Sequence, residues 1–285
     1  MSPQIIRTLV ELREVVAQWK AAGESVGVVP TMGALHEGHL SLVRAAKEAC
    51  DRLIVTIFIN PKQFNNQEDY ENYPRTEQED ARKLTPLRAD VVYVPDGVQM
   101  YPAGFATTVS IQRITDGLCG AHRPGHFDGV ATIVTKLFTQ TQADKAYFGE
   151  KDYQQLLVVA QLARDLDLPI DVVGCPTIRE EDGLALSSRN VLLSDQARSS
   201  APELNRAMEE MVEGLLAGGD LDALEAQAVA RIKRAGFSEV EYLELRAADN
   251  LELLDRPERP ARLLAAAWLE GVRLIDNIAV MSSGQ

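Results

Sequence analysis

The chain's four histidines fall in two short stretches, His36 and His39 in "TMGALHEGHLSLV" and His122 and His126 in "AHRPGHFDGV". Imidazole donates hydrogen bonds that strengthen on protonation, so two such rings beside a glycine, where a strand hands over to a helix, suit a phosphate. A helix beginning at the carboxyl end of a strand adds free backbone N–H groups and the positive end of its dipole. Gly33 and Gly38 would let the backbone turn tightly and approach the ligand. An isolated histidine caps or packs; a pair bracketing a glycine at the mouth of a sheet reads as an anion site. The i, i+3 spacing differs from the i, i+4 pair of a helical zinc site, so metal ligation by these two is not expected.

Other stretches carry compatible chemistry. In "FINPKQFN" an apolar run stops at Asn60 and gives way to the amides of Gln63, Asn65 and Asn66, which can hydrogen-bond a hydroxyl or carboxylate; a plain polar turn accounts for them equally. "AHRPGHFDGVATIVTKL" places Arg123, His126 and Lys136 around another helix start, while His122 reads as a solvated loop residue. "AYFGEKDYQQLLVV" repeats the first arrangement, a strand ending at Gly149 and then Glu150, Lys151 and Asp152 opening a helix. Lys151 is a mobile point charge suited to phosphate, and Gln155 lies one turn on; the alternative is a solvated helix start. In "DGLALSSRN", Ser187, Ser188 and Arg189 sit on a polar loop that could close over a polyphosphate or be an ordinary interdomain turn. Glu79 and Asp80 could neighbour a metal, but an acidic helix face accounts for them as well.

The elements that must position these residues show in the hydrophobic pattern. "RLIVTIFIN" reads as a strand buried on both faces, preceded by a helix through "GHLSLVRAAKEACD". Helix–strand pairs follow: "RTEQEDARKL" with "ADVVYVP", "GVATIVTKLFTQTQ" with "ADKAYFG", and "DYQQLLVVAQLARDL" with "IDVVGCP". This alternation predicts an α/β fold, a Rossmann-like doubly wound parallel sheet. Beyond Cys175 the pattern changes to two helical stretches, "SDQARSSAPELNRAMEEMVEGLLAGG" and "LDALEAQAVARIKRAG", and then to three β-like runs. These predict a smaller α+β C-terminal domain, with residues 1–180 as the first domain and 181–285 as the second.

Composition narrows the setting. Hydrophobic residues at 46% and charged residues at 25% over 285 positions are those of a folded globular chain. Three scattered cysteines with no CxxC argue for reduced, buried thiols rather than disulfides or a thiolate metal site. No apolar run approaches the ~20 residues of a membrane span, and the N-terminus has no export pattern, so a cytoplasmic location is expected. A net charge of -13 disfavours nucleic acid as a partner; any polyanion must bind at a local site.

Five of these stretches, "PTMGALHEGHLSLV", "FINPKQF", "RPGHF", "FGEKDYQQL" and "DGLALSSRN", together and in this order resemble the pantothenate synthetase family, the AMP-forming ligases of pantoate and β-alanine. His-x-Gly-His alone points only to the wider nucleotidyltransferase and class I aminoacyl-tRNA synthetase superfamily. The resemblance implies a homodimeric cytoplasmic enzyme that uses ATP and Mg2+, makes pantoyl adenylate and diphosphate, and then joins the acyl group to β-alanine with release of AMP. It places Met32, Gly33, Ala34, Leu35, His36, Glu37, Gly38 and His39 along the ATP site, with His39 as proton donor and His36 on a phosphate. Gly149, Glu150, Lys151, Asp152, Leu186, Ser187, Ser188 and Arg189 would also bind ATP, with Ile178 near the adenine. Gln63 and Gln155, with Asn60, Arg123 and His126, would hold the acid substrate. It leaves the Mg2+ ligands unassigned. Lys62 and Asp128 depart from the family pattern.

Under that reading His36, His39, Lys151 and Arg189 offset the charge of ATP, and no covalent nucleophile is needed because the substrate carboxylate attacks phosphorus. The alternatives are a nucleotidyltransferase that keeps the nucleotide in its product and a non-catalytic nucleotide-binding regulator.

Overall fold

The β-branched runs of the first half become one parallel sheet. The computed structural model describes residues 2–280; residue 1 and residues 281–285, the outer ends of the two expected domains, lie outside the described residues. Six strands, β1 (Gln4–Ile6), β2 (Val26–Thr31), β3 (Arg52–Ile57), β4 (Val91–Tyr93), β5 (Lys145–Gly149) and β6 (Asp171–Cys175), pair in the order β1-β4-β3-β2-β5-β6. Every pairing in it is parallel. β2 and β3 occupy the middle, and Val26, Val28, Val29, Leu53, Ile54 and Val55 are all fully buried, as strands covered on both faces require. The chain runs outward from β2 through β3 to β4, then crosses back to β5 on the other side of β2. The order therefore reverses between β2 and β5, which makes their carboxyl ends the natural ligand crevice.

Helices cover the sheet as the pattern requires. Glu37–Ala49 joins β2 to β3 and buries Leu42, Val43 and Ala46; His126–Thr141, buried along most of its length, precedes β5. The short β1 and the helix Leu9–Ala21, capped by Thr8 and Glu11, were not among the expected elements. All three cysteines are free and buried. Burial, with the Glu150 charge adding to it, pushes the Cys175 thiol up.

The chain divides into two compact units, the first running to Glu150 and including Gln155–Pro176, the second comprising Lys151–Gln154 and the residues from Thr177 onward. A simple cut at residue 180 does not anticipate that Lys151–Gln154 group with the C-terminal part. In the second unit β7 (Glu239–Ala247), β8 (Ala261–Leu269) and β9 (Val272–Ala279) form an antiparallel sheet in that order. Leu204, Met208, Met211 and Ile232 of its helices pack on Leu243, Leu245, Leu263 and Leu274. The first long helical stretch is two helices, Asp195–Ser200 and Glu203–Leu216, because Pro202 cannot continue the backbone ladder and instead caps the second.

The start of β2 is pinned by Asp144, which accepts the Val26 N–H at 2.7 Å and pairs with Lys20. Burial alone would raise its carboxyl, but Lys20 and the Val26 N–H outweigh that and hold it below its ordinary 3.8. A depressed carboxyl contributes stability that is present above the unfolded-state value and lost as pH falls through the folded one. Asp144→Asn should therefore lower the melting temperature at pH 6, and the deficit should shrink as pH drops below about 3.8; thermal melts of both proteins across that range check it.

Candidate active site

After Thr31 the chain must turn sharply before the helix Glu37–Ala49 can begin. Gly33 and Ala34 take φ of +85° and +51°, and the second is a conformation that costs an L-residue about 1–2 kcal/mol. The turn is held from inside. Thr31 Oγ1 donates to the Thr56 carbonyl at 2.7 Å and accepts the Gly33 N–H at 3.1 Å. The Asp80 carboxylate, 0% exposed, accepts the Ala34 N–H at 2.9 Å, the Leu35 N–H at 2.8 Å and the Thr76 hydroxyl at 3.1 Å. Lys83 donates to the Leu35 carbonyl at 2.7 Å. Asp80 is thus a backbone anchor and not part of a solvated acidic face. Leu35 has its side chain in the core and both backbone groups engaged. Gly38 is helical; the tight turn belongs to Gly33 and Ala34.

This turn delivers His36 as the helix cap. Its Nδ1 accepts the Gly38 N–H at 3.2 Å, and His39 Nδ1 accepts the His36 N–H at 3.4 Å, a reciprocal capping box. The two rings lie 4.1 Å apart, centre to centre. With both Nδ1 atoms accepting, each neutral ring carries its proton on Nε2. Glu37 is exposed and pairs with Arg44.

A second cluster forms beyond β3. Buried Asn60 donates from Nδ2 to Gln63 Oε1 at 3.0 Å and to the Gly129 carbonyl at 3.1 Å, and its Oδ1 accepts the Tyr101 hydroxyl at 2.7 Å. Burial raises the Tyr101 phenol above its ordinary range, so it stays a donor. Gln63 Nε2 reaches Met32 Sδ at 3.2 Å, bringing the first two motifs together. The Gln63 carbonyl accepts from Arg123 at 3.1 Å and from His126 Nδ1 at 2.8 Å, while Arg123 also meets His126 Nε2 at 3.2 Å. His126, 7% exposed, and Arg123 thus both hold the backbone carbonyl of Gln63. The close approach of residues 62–63 to the helix His126–Thr141 requires Gly129, where an added Cβ would stand 2.3 Å from the Lys62 carbonyl oxygen.

Asn65 and Asn66 serve the loop itself, the first bonding the Pro124 carbonyl and the second capping the helix Gln67–Glu71. Exposed Lys62 lies 5.1 Å from the Tyr101 and Phe105 ring centres, and Lys136 lies 5.0 Å from Phe105. Exposed His122 ends a short helix, Cys119–His122, and Asp128 sits in the first turn of the next. β5 ends at Gly149, followed by the 3-10 turn Glu150–Asp152 and the helix Tyr153–Asp165, with half-buried Gln155 in its first turn.

Within the second unit, Lys151 Nζ stands 3.9 Å from Asp152. Ile178 and Leu186 face each other across a hairpin, the Leu186 N–H donating to the Ile178 carbonyl at 3.0 Å. The hairpin leads into Ser187, whose hydroxyl caps the 3-10 turn Ser188–Leu192 by accepting the Arg189 N–H at 3.2 Å. Arg179 at its base pairs with Asp276 at 2.6 Å. Burial would lower that guanidinium, but the Asp276 hydrogen bonds outweigh it and the net shift is upward.

The arrangement in the first unit is a capped helix start with two Nε2–H donors, next to an amide-bearing turn. A profile of the pantoate-beta-alanine ligase family matches residues 4–279. The chain belongs to that family. The pantothenate synthetase of Roseobacter denitrificans is 64% identical over 280 residues, 98% of this chain and 99% of its own. That of Ruegeria pomeroyi is 62% identical over 280 residues, 98% of each. Among solved structures, the pantothenate synthetase of Thermus thermophilus, 43% identical, matches with a TM-score of 0.92 over 98% of this chain and all of that one (100%). The pantoate-beta-alanine ligase of Francisella tularensis, solved in complex with beta-gamma ATP and beta-alanine, is 34% identical with a TM-score of 0.84 over 99% of each chain.

In this ligase the residues that sequence reasoning missed are those that act on backbone. Asp80 gave one usable signal, an acid four residues after Thr76 at the start of a helix, but nothing local announces its burial. Replacing it tests the anchor. Asp80→Asn leaves one of two buried backbone N–H groups facing an NH2, so the folded state should lose about 1–3 kcal/mol, read as a lower urea midpoint with unchanged slope.

Proposed function

We propose that this chain condenses pantoate with β-alanine, driven by cleavage of ATP. The observation that carries the reading is the match to pantoate-beta-alanine ligases along nearly the whole chain, residues 4–279, supported by the His36–His39 helix start that suits a nucleotide's phosphates. In the first step a carboxylate oxygen of pantoate attacks the α-phosphorus of ATP. The bond to the bridging oxygen breaks, and diphosphate leaves with the electron pair. In the second step the β-alanine amine attacks the acyl carbon, the C–O bond to AMP breaks, and the amine loses a proton.

ATP brings about four negative charges to a carboxylate, so cations and N–H donors must offset repulsion in the ground state and charge developing in the transition state. We assign that work to His36, His39, Lys151 and Arg189, with His39 as proton donor. The rest of the ATP site falls to Met32–His39, Gly149–Asp152, Ile178 and Leu186–Arg189, and pantoate to Gln63 and Gln155. Asn60, Arg123 and His126 belong to the same pantoate site, where they also hold Gln63. The second step needs mainly proximity of the amine and exclusion of water.

Mg2+ belongs to this proposal as the counter-ion ATP carries. Among the described residues no three His, Cys, Asp or Glu side chains gather, and Asp80 has both oxygens committed. Mg2+ commonly keeps several waters and binds largely through phosphates, so no step is routed through a protein-held ion. A homodimer and a cytoplasmic location, which the family resemblance implies, complete the proposal; no helix among the described residues is long and apolar enough to cross a membrane.

Radiolabelled diphosphate should exchange into ATP when pantoate is present and β-alanine is omitted. Exchange without pantoate, or none with it, rejects the adenylate route. Oxygen label from the pantoate carboxylate should reach AMP, whereas a nucleotidyltransferase would retain the nucleotide in its product. His39→Ala should slow exchange about 10²- to 10³-fold, as loss of one such donor costs roughly 3–4 kcal/mol, with the fold intact by circular dichroism.

Gly129→Ala should act on the other substrate. Its Cβ must push residues 62–63 away from the helix, so the KM for pantoate should rise about tenfold, or about 1.4 kcal/mol, while that for ATP stays put. Steady-state kinetics with each substrate varied separates the two.

A further inference from the structure

Asp276 and Asn277 follow one another on β9, and both are buried, 5% and 3% exposed. Successive side chains of a strand leave on opposite faces, so two neighbours can reach two different segments. On one face the Asp276 carboxylate takes both arms of the Arg179 guanidinium, at 2.6 and 2.8 Å, across 97 residues of sequence. Arg179 also donates to the Gly183 carbonyl at 3.1 Å and bridges Ala185, so the pair grips the base of the hairpin that runs into Ser187–Arg189.

On the other face Asn277 Nδ2 donates to the Lys151 carbonyl at 2.9 Å, 126 residues away. Its Oδ1 accepts from Arg262, whose guanidinium lies 3.9 Å from the Tyr153 ring centre. Tyr153 in turn donates its hydroxyl to the Ala248 carbonyl at 2.8 Å. Residues 151–153 are thus tied to the three-stranded sheet by an amide, a stacked guanidinium and a phenol. These ties hold backbone and ring and make no demand on the Lys151 ammonium. A lysine stem has several rotatable bonds, so its charge is well placed only if its backbone is fixed.

We infer that Asp276 and Asn277 are positioning residues for the ATP-dependent half-reaction, Asn277 setting the backbone of Lys151 and Asp276 setting the hairpin that presents Ser187–Arg189. This rests on the ATP roles proposed for those two segments. One two-residue step of β9 then gives both a common reference, although they lie far apart in sequence. It also gives a physical reason for Lys151–Gln154 grouping with the second unit.

Asn277→Asp tests it with little change of shape. The variant keeps an acceptor for Arg262 but turns a carboxylate oxygen toward the Lys151 carbonyl in place of a donor. Pantoate-dependent diphosphate–ATP exchange should fall about tenfold with a raised KM for ATP, the size expected when a buried hydrogen bond is replaced by an acceptor–acceptor contact. Capture of pre-formed pantoyl adenylate by β-alanine should be unchanged. Added to Lys151→Ala, the substitution should cause no further loss, because it acts through that residue.

Equal loss in both half-reactions with unchanged KM for ATP would mark a purely structural residue and overturn the inference, as would additive losses in the double variant. If Lys151→Ala alone leaves exchange intact, the ATP role of Lys151 falls instead; if Lys151→Ala abolishes exchange and Asn277→Asp does not touch it, only the inference falls. Should Asn277→Asp fail to melt cooperatively, Asn277→Ser, which retains a donor on a shorter arm, carries the same comparison and the same outcomes.

Discussion

A carboxylate taken fully out of water is among the more costly things a protein can bury, and it persists only where donors converge on it. Asp80 is buried in this way, and its donors are the Ala34 and Leu35 N–H groups and the Thr76 hydroxyl. The two needs answer each other. The turn out of β2 passes through left-handed conformations at Gly33 and Ala34, which turns backbone N–H groups away from any regular ladder. The acid satisfies those groups, and they satisfy the acid. Everything downstream depends on that turn, because it sets where the helix Glu37–Ala49 begins and hence where His36 becomes its cap.

The cap then decides what the histidines can do. Because each Nδ1 accepts a backbone N–H, the tautomer is set by the helix start itself, and the donor is Nε2–H in both rings. The histidine in the second cluster follows different logic. His126 has Nδ1 on the Gln63 carbonyl and Nε2 on Arg123, so it works as a rigid connector between the helix His126–Thr141 and the amide-bearing turn. Two histidine-rich helix starts that look alike in sequence thus divide the labour: one offers donors, the other holds a neighbour in place.

This division marks how far the residues alone could be read. The buried strands and amphipathic helices were legible because their periodicity is local: "RLIVTIFIN" and "GHLSLVRAAKEACD" become β3 and the helix before it with shifts of a few residues at their ends. The candidate motifs stood out because they pack several polar types into a few positions. The supports were not. Asp80 sits in a polar helix whose composition resembles a solvated face, and only the fold brings residues 34 and 35 over it. The three-residue β1 is too short to show an alternation, and its place beside β4 depends on pairing across the sheet. Asn277 and Lys151 are 126 residues apart, beyond any spacing argument.

The overall charge of -13 sharpens the problem of binding a polyanion. At physiological salt the field of exposed charge decays over about 8 Å, so the acidic surplus matters far less at the site than the groups within contact distance. Some of the acids are in addition committed to local pairs, Asp90 with Lys47 and Arg52, and Glu203 with Arg206 and Arg231. What the proposed chemistry needs is therefore a few donors held in fixed places, which is a matter of backbone geometry more than of net charge. Asp80 meets that need for the histidines by directing a buried acid onto N–H groups. Asp276 does the equivalent by directing one onto Arg179. In each case a negative charge that would repel a nucleotide is turned inward and committed to holding a segment to which the proposed function gives the task of binding one.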